Sequence, residues 1–125
     1  MKIILDTNFL IYCAKAKLDY VEEVGNIINE GVELVVPDQV IGELERLKIK
    51  AKKGKDKDAC DLALKLLKNN KVKVVKPVGK TVDNAMVNLA NEDPKNIVCT
   101  LDREMRTTLG RVILVNRGKK LMLTR

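Results

Sequence analysis

Histidine is absent from all 125 residues of the chain. That alone excludes serine–histidine and cysteine–histidine nucleophile pairs, phosphohistidine relays and imidazole-ligated metals. Aromatic side chains are almost missing too: Phe9, Tyr12 and Tyr20 are the only ones. The core must therefore be built from Leu, Val, Ile, Met and Ala, and a module that stacks successive bases on paired rings finds no support. The cysteines, Cys13, Cys60 and Cys99, are odd in number and widely spaced, which fits neither a disulfide framework nor a zinc site. Cys99 lies in an apolar run and reads as a small hydrophobe. No apolar run approaches the ~20 residues that cross a bilayer, and no signal-peptide pattern opens the chain, so a cytoplasmic protein without a membrane partner is expected. The glycine patterns of dinucleotide-binding and P-loop folds are also lacking.

What is present is enough apolar material, 46% of the residues, for one folded domain spanning 1–125. The net charge of +7 is unevenly spread: residues 1–47 hold 4 basic and 9 acidic side chains, and the remainder holds 20 and 8. Lys48, Lys50, Lys52, Lys53, Lys55 and Lys57 crowd into ten positions, and the C-terminal part adds Arg103, Arg106, Arg111, Arg117, Lys119, Lys120 and Arg125. A basic excess of this kind attracts a polyanion; the plainer alternative is a solvated surface that keeps a small protein soluble.

Short apolar runs alternate with segments of helical spacing. Residues 2–6, 32–37, 71–77, 96–101 and 111–115 read as strands. A helix capped by Thr7 or Asn8 is expected to carry Phe9, Leu10, Tyr12 and Cys13, and further helices are expected over 20–29, 38–51 with Asp38 as cap, 58–68, 81–91 and 102–110. Residues 116–119 look like a tight turn into an extended 121–123. Such alternation predicts an α/β domain with right-handed crossovers and a mostly parallel central sheet.

Four acids fall in positions of interest. Asp6 follows the first strand, and Asp102 ends the run NIVCTLD at residues 96–102. Ligands in open α/β sheets bind beyond the carboxyl ends of the strands, although an Asp between a strand and a helix also serves as a cap. Glu43 sits three residues after Val40 and four before Leu47, on the edge of an apolar stripe, with Glu45 competing on the other edge. Asp83 falls within the apolar arc of its helix, between Ala90 and Val87, and in the first turn, where amide dipoles favour a carboxylate. An all-oxygen donor set suits Mg²⁺ or Mn²⁺, and hydrolysis of a phosphodiester is the natural chemistry for such ions beside basic surfaces.

The order and spacing of these segments resemble a PIN-domain ribonuclease over essentially the whole chain. The resemblance rests on Leu5, Asp6, Thr7 and Asn8, on VPDQVIGELERL at 36–47, on Thr81, Val82 and Asp83, and on Thr100, Leu101 and Asp102. It implies a three-layer α/β/α sandwich with strand order 3-2-1-4-5, with Asp6 beside Asp102. Asp6, Glu43, Asp83 and Asp102 are implied as the catalytic, metal-binding acids, which selects Glu43 over Glu45; Asn8 and Thr100 are implied as supports. The segments TLDREMRTTLG (100–110) and VILVNRGKKLML (112–123) are most similar to PIN proteins that process small-subunit ribosomal RNA, especially archaeal ones. A toxin of a toxin–antitoxin pair and a non-catalytic RNA-binding scaffold are the alternatives. Asn84 stands where processing-type relatives often carry a second adjacent acid. RNA would be gripped by Lys48, Lys52, Lys53, Lys55, Arg103 and Arg106. A homodimer is expected through a face of the first two helices carrying Phe9, Tyr12 and Tyr20.

Overall fold

Ile3, Ile4 and Leu5 show no polar–apolar alternation, and a strand of that kind is stable only when both of its faces are covered. In the computed structural model all three are fully buried. The structure describes residues 1–52, 54–109, 111–115 and 120–124. Lys53, the helix stop at Gly110, the expected turn at 116–119 and the Arg106 side chain lie outside that description.

The elements run β1 (Lys2–Leu5), α1 (Thr7–Ala16), α2 (Tyr20–Ile27), β2 (Glu33–Pro37), α3 (Asp38–Lys50), α4 (Gly54–Asn69), β3 (Lys73–Val75), α5 (Val82–Ala90), β4 (Ile97–Cys99), α6 (Met105–Leu109), β5 (Val112–Val115) and β6 (Leu121–Leu123). The described strands form one sheet ordered β3-β2-β1-β4-β5-β6. Pairing is parallel from β3 to β5, and β6 adds antiparallel to β5. The expected order is thus observed, and the extended C-terminal piece joins the sheet as its edge strand. From β1 the chain steps outward through β2 to β3, then crosses back to place β4 on the other side of β1. That reversal is the topological switch point, where open α/β sheets hold their ligands.

Local details depart from expectation for identifiable reasons. The N-cap of α1 is Asp6 itself, whose side chain accepts the Thr7 amide; Thr7 and Asn8 are already helical. For α3 the cap position belongs to Pro37, with no side-chain cap bond, and Asp38 is the first helical residue. Helix α4 starts at Gly54, four residues before the expected Asp58. Lysine is a good helix former, and Lys15 on α1 grips Asp56 at 2.9 Å, which ties down that first turn. Further along α4, Lys48 from α3 and Lys65 hold the two oxygens of Asp61 at 2.8 and 3.0 Å.

The expected aromatic dimer face is a correction. Phe9 and Tyr20 are 0% and 1% exposed, and their rings meet edge to face at 6.3 Å. With so few large side chains in the chain, both are used inside, where an aromatic buries the most apolar area. Cys13, Cys60 and Cys99 are buried free thiols, and burial raises the pKa of each, that of Cys13 up to about 12. No helix among the described residues is long and apolar enough to cross a membrane.

Candidate active site

The first strand delivers Asp6 to the switch point. Its amide still pairs with the Cys99 carbonyl at 3.1 Å, so the β1–β4 ladder continues one step past the last strand residue. In that register the immediate neighbour of Asp6 is Thr100, not Asp102. The Thr100 hydroxyl donates to Asp6 Oδ2 at 2.9 Å and accepts from the Asp102 amide at 3.0 Å. One fully buried hydroxyl thus fixes the carboxylate at the end of β1 and the backbone carrying the carboxylate at the end of β4. The other oxygen, Asp6 Oδ1, accepts the Thr7 amide at 2.8 Å. Asp102 Oδ1 accepts the Glu104 amide at 2.9 Å, a local turn that orients its side chain.

Asp6, Asn8, Glu43, Thr81, Val82, Asp83 and Asp102 line a single cleft of about 320 Å³. The four acids singled out in the sequence, drawn from two strand ends and two helices, therefore share one space. Glu43 is half-buried at its wall while Glu45 is exposed. Asp83, placed by periodicity inside an apolar arc, is exposed: it lies in the first turn of α5 and lines the open cleft.

Charge behaves accordingly. Burial raises the pKa of Asp6, and the nearby Asp83 and Glu43 carboxylates push it the same way, opposed by the hydrogen bonds from Thr100 and Thr7. Among the described residues no three acids converge on one point closely enough to grip an ion by themselves. The donor set is nonetheless all oxygen, open, and strongly electronegative. That matches the demand of a hard cation which keeps several waters and touches only one or two carboxylates directly.

The lysines and arginines named for RNA are disposed differently. Lys48 is committed to its ion pair with Asp61. Lys52 and Lys55 are exposed, and Lys55 borders a separate cavity between α1 and α4. Arg103 is exposed in the turn following Asp102. None of them lines the acidic cleft. Two cations that the sequence patterns did not single out, Arg46 and Lys80, stand closer, in a cavity that shares Glu43, Thr81 and Val82 with the cleft. The available signal was the i,i+3 spacing of Glu43 and Arg46, which puts both on one helix flank.

Thr100→Val tests the hydroxyl. The swap keeps the shape but leaves Asp6 Oδ2 without its donor and the Asp102 amide without its acceptor. A stability loss of about 1–3 kcal/mol is expected from denaturant unfolding. Since the missing bond had lowered the Asp6 pKa, the acidic limb of any activity profile should move to higher pH; an unmoved limb would separate Asp6 titration from function.

A parallel sheet with this strand order and a carboxylate-lined cleft at its switch point define the PIN class of α/β domains. A family model described as "PIN like domain" matches residues 3–117, and the chain belongs to that family. It is 40% identical over 109 residues to Ribonuclease VapC4 of Methanocaldococcus jannaschii, covering 86% of this chain and 82% of that one. Among solved structures it is similar to the PIN domain endonuclease Utp24, with a TM-score of 0.77 at 19% identity over 98% of this chain and 90% of that chain. It is also similar to VapBC2 from Rickettsia felis bound to a DNA fragment from their promoter, with a TM-score of 0.59 at 16% identity, covering 86% and 92%. At such identities the two structural likenesses speak to fold.

Proposed function

We propose that the chain is a metal-dependent endoribonuclease that hydrolyses RNA phosphodiester bonds. The observation that carries this reading is the gathering of Asp6, Glu43, Asp83 and Asp102 around one cleft at the carboxyl ends of β1 and β4. The 40% identical relative, named a ribonuclease, supports the choice of RNA.

Asp6 and Asp102, with Glu43 and Asp83, would hold Mg²⁺ or Mn²⁺, which would supply Lewis acidity toward the phosphate and lower the pKa of an attacking water. The chain's own residues do the rest. Thr100 and the Thr7 amide hold the Asp6 carboxylate in one orientation, so little reorganisation is needed when charge develops on the phosphate. Asn8 offers an amide at the cleft mouth. Among the described residues lining the cleft the carboxylates are the only ionisable side chains, so they are the groups there that can take a proton from an attacking water.

For the substrate, we place the protein on precursor ribosomal RNA, supported by the C-terminal resemblance of residues 100–123. A second reading, a toxin ribonuclease with a protein antitoxin, is favoured by the relative's name. VapC4 shares that label with VapBC2, a two-component assembly caught on its own promoter. Incubating the pure protein and Mn²⁺ with precursor small-subunit RNA, messenger RNA and transfer RNA, and mapping the new ends, decides among these. A cut confined to the ribosomal precursor supports the first; cuts in the other RNAs, with an antitoxin reading frame beside the gene, support the second. Binding without cleavage across all substrates and metals would make the protein a scaffold.

The basic surface is tested separately. Neutralising Lys52, Lys55 and Arg103 together should lower RNA affinity and flatten its salt dependence, by about 0.7 in log–log slope for each phosphate that goes unneutralised. An unchanged slope would return these residues to the role of solvated surface.

A further inference from the structure

Beside the acidic cleft lies a second cavity of about 420 Å³, lined by Asp38, Gln39, Gly42, Glu43, Arg46, Lys80, Thr81 and Val82. The two spaces share the wall made by Glu43, Thr81 and Val82, so they form one continuous groove between α3 and the start of α5. The first part is acidic; the second carries the cations Arg46 and Lys80 beside the carboxylates of Asp38 and Glu43. Arg46 rises from α3, its guanidinium lying over Gly42, where an added Cβ would meet its Nη1 at 3.3 Å. Lys80 comes from the loop opposite.

That loop is held firmly. The Gln39 carboxamide donates from Nε2 to the Pro77 and Gly79 carbonyls, each at 2.9 Å. Asn88 Nδ2 donates to the Val78 carbonyl at 2.5 Å. The base of Lys80 is therefore fixed relative to α3, and only its flexible stem is left to adjust. Neither Arg46 nor Lys80 forms an ion pair among the described residues, although Arg46 is one turn from Glu43 on the same helix. Cations left unpaired beside carboxylates keep their full charge for a ligand.

We propose that this cavity is a phosphate subsite for the RNA substrate: Arg46 and Lys80 hold the phosphate next to the one cleaved. The proposal rests on the nuclease reading for the phrase "next to the one cleaved" and deepens it by assigning the neighbouring unit of the substrate. A volume of about 420 Å³ falls in the range of small-ligand pockets and accepts one nucleotide.

The test has a binding arm and a cleavage arm. In the binding arm a fluorescent pentaribonucleotide is titrated in EDTA across a salt series. The Arg46→Ala, Lys80→Ala double variant should weaken binding at least tenfold and reduce the log–log salt slope by about 0.7 for the one phosphate it no longer neutralises. Lys68→Ala, at the far end of α4, serves as the control and should match wild type. In the cleavage arm, with Mn²⁺, wild type should favour a trinucleotide with two phosphodiesters over a dinucleotide with one by about tenfold in kcat/KM, and the double variant should lose that preference. If no RNA is cut but the double variant still fails to bind the pentamer, the nuclease reading falls and the subsite stands as a phosphate site. Equal binding by double variant and wild type, or RNA cut with no length preference in wild type, overturns the subsite.

Discussion

Asp6→Asn is expected to abolish RNA cleavage, lowering kcat by on the order of a hundredfold or more, and Asp102→Asn should do the same. The two residues follow adjacent strands, and one hydroxyl, that of Thr100, donates to the Asp6 carboxylate and accepts the Asp102 backbone amide. Asparagine keeps the size of aspartate and its acceptor for the Thr7 amide, so the cap of α1 survives while the charge is lost. Calorimetric titration with Mn²⁺ is the companion measurement. Equal affinity in wild type and Asp6→Asn would remove Asp6 from the site, whatever happened to cleavage.

The same substitution should make the metal-free protein more stable, which distinguishes lost chemistry from lost folding. Burial, with Asp83 and Glu43 adding to it, holds the Asp6 pKa above its ordinary value. The folded chain therefore binds that proton more tightly than the unfolded chain does. By linkage, stability falls as pH rises through the window from the ordinary aspartate value to the raised one, and it stays reduced above that window. Removing the carboxylate removes this penalty. At pH 7 Asp6→Asn should therefore be more stable than wild type. The gain should vanish at pH values below the ordinary carboxylate range. A variant less stable than wild type at pH 7 would mean that the hydrogen bonds to Asp6 outweigh its burial.

Much of this architecture was legible because the signals were local and repeated. The unbroken apolar runs at Ile3, Ile4 and Leu5 and at Ile97, Val98 and Cys99 could only be strands covered on both faces, and all six residues are fully buried. Glu43 could be separated from Glu45 only weakly by periodicity, since both lie near the edge of one stripe; the cleft lies on the Glu43 side. What the sequence concealed was of two kinds. Element starts depended on distant partners: α4 extends back to Gly54 through a lysine-rich stretch that reads as a turn until Lys15 is seen on Asp56. Charge placement depended on the third dimension. A dense lysine run is conspicuous in one dimension, yet Lys48 is committed to Asp61, while the inconspicuous Arg46 and Lys80 flank the groove. Aromatic scarcity misled in the same way, because Phe9 and Tyr20 were worth more to the core than to a surface.

Gly79→Ala should be among the most damaging single-methyl changes available to the chain. Gly79 has φ +154°, and a Cβ there would lie 2.6 Å from Ala85 N, 2.9 Å from Ala85 Cα and 3.0 Å from the Asn84 carbonyl carbon. Those atoms are helix backbone, not the yielding tip of a side chain, so the loop or α5 must move. A destabilisation of about 2–4 kcal/mol is expected, combining backbone strain with the steric clash. The damage should also reach the chemistry. Moving the loop away from α5 breaks the clamp from Gln39 and Asn88, disturbs the Thr81 cap whose hydroxyl accepts the Asn84 amide at 3.1 Å, and shifts Asp83 in the first turn of the helix. Gly25→Ala is the matched comparison: it lies inside α2 with nothing within 4 Å of its added Cβ, so the same methyl should stabilise by about 0.5–1 kcal/mol. Opposite signs at the two glycines in denaturant unfolding, with cleavage lost only for Gly79→Ala at a temperature where both variants are folded, would tie the placement of Asp83 to the closeness of loop and helix. A Gly79→Ala protein as stable and as active as wild type would show that this close approach is not required.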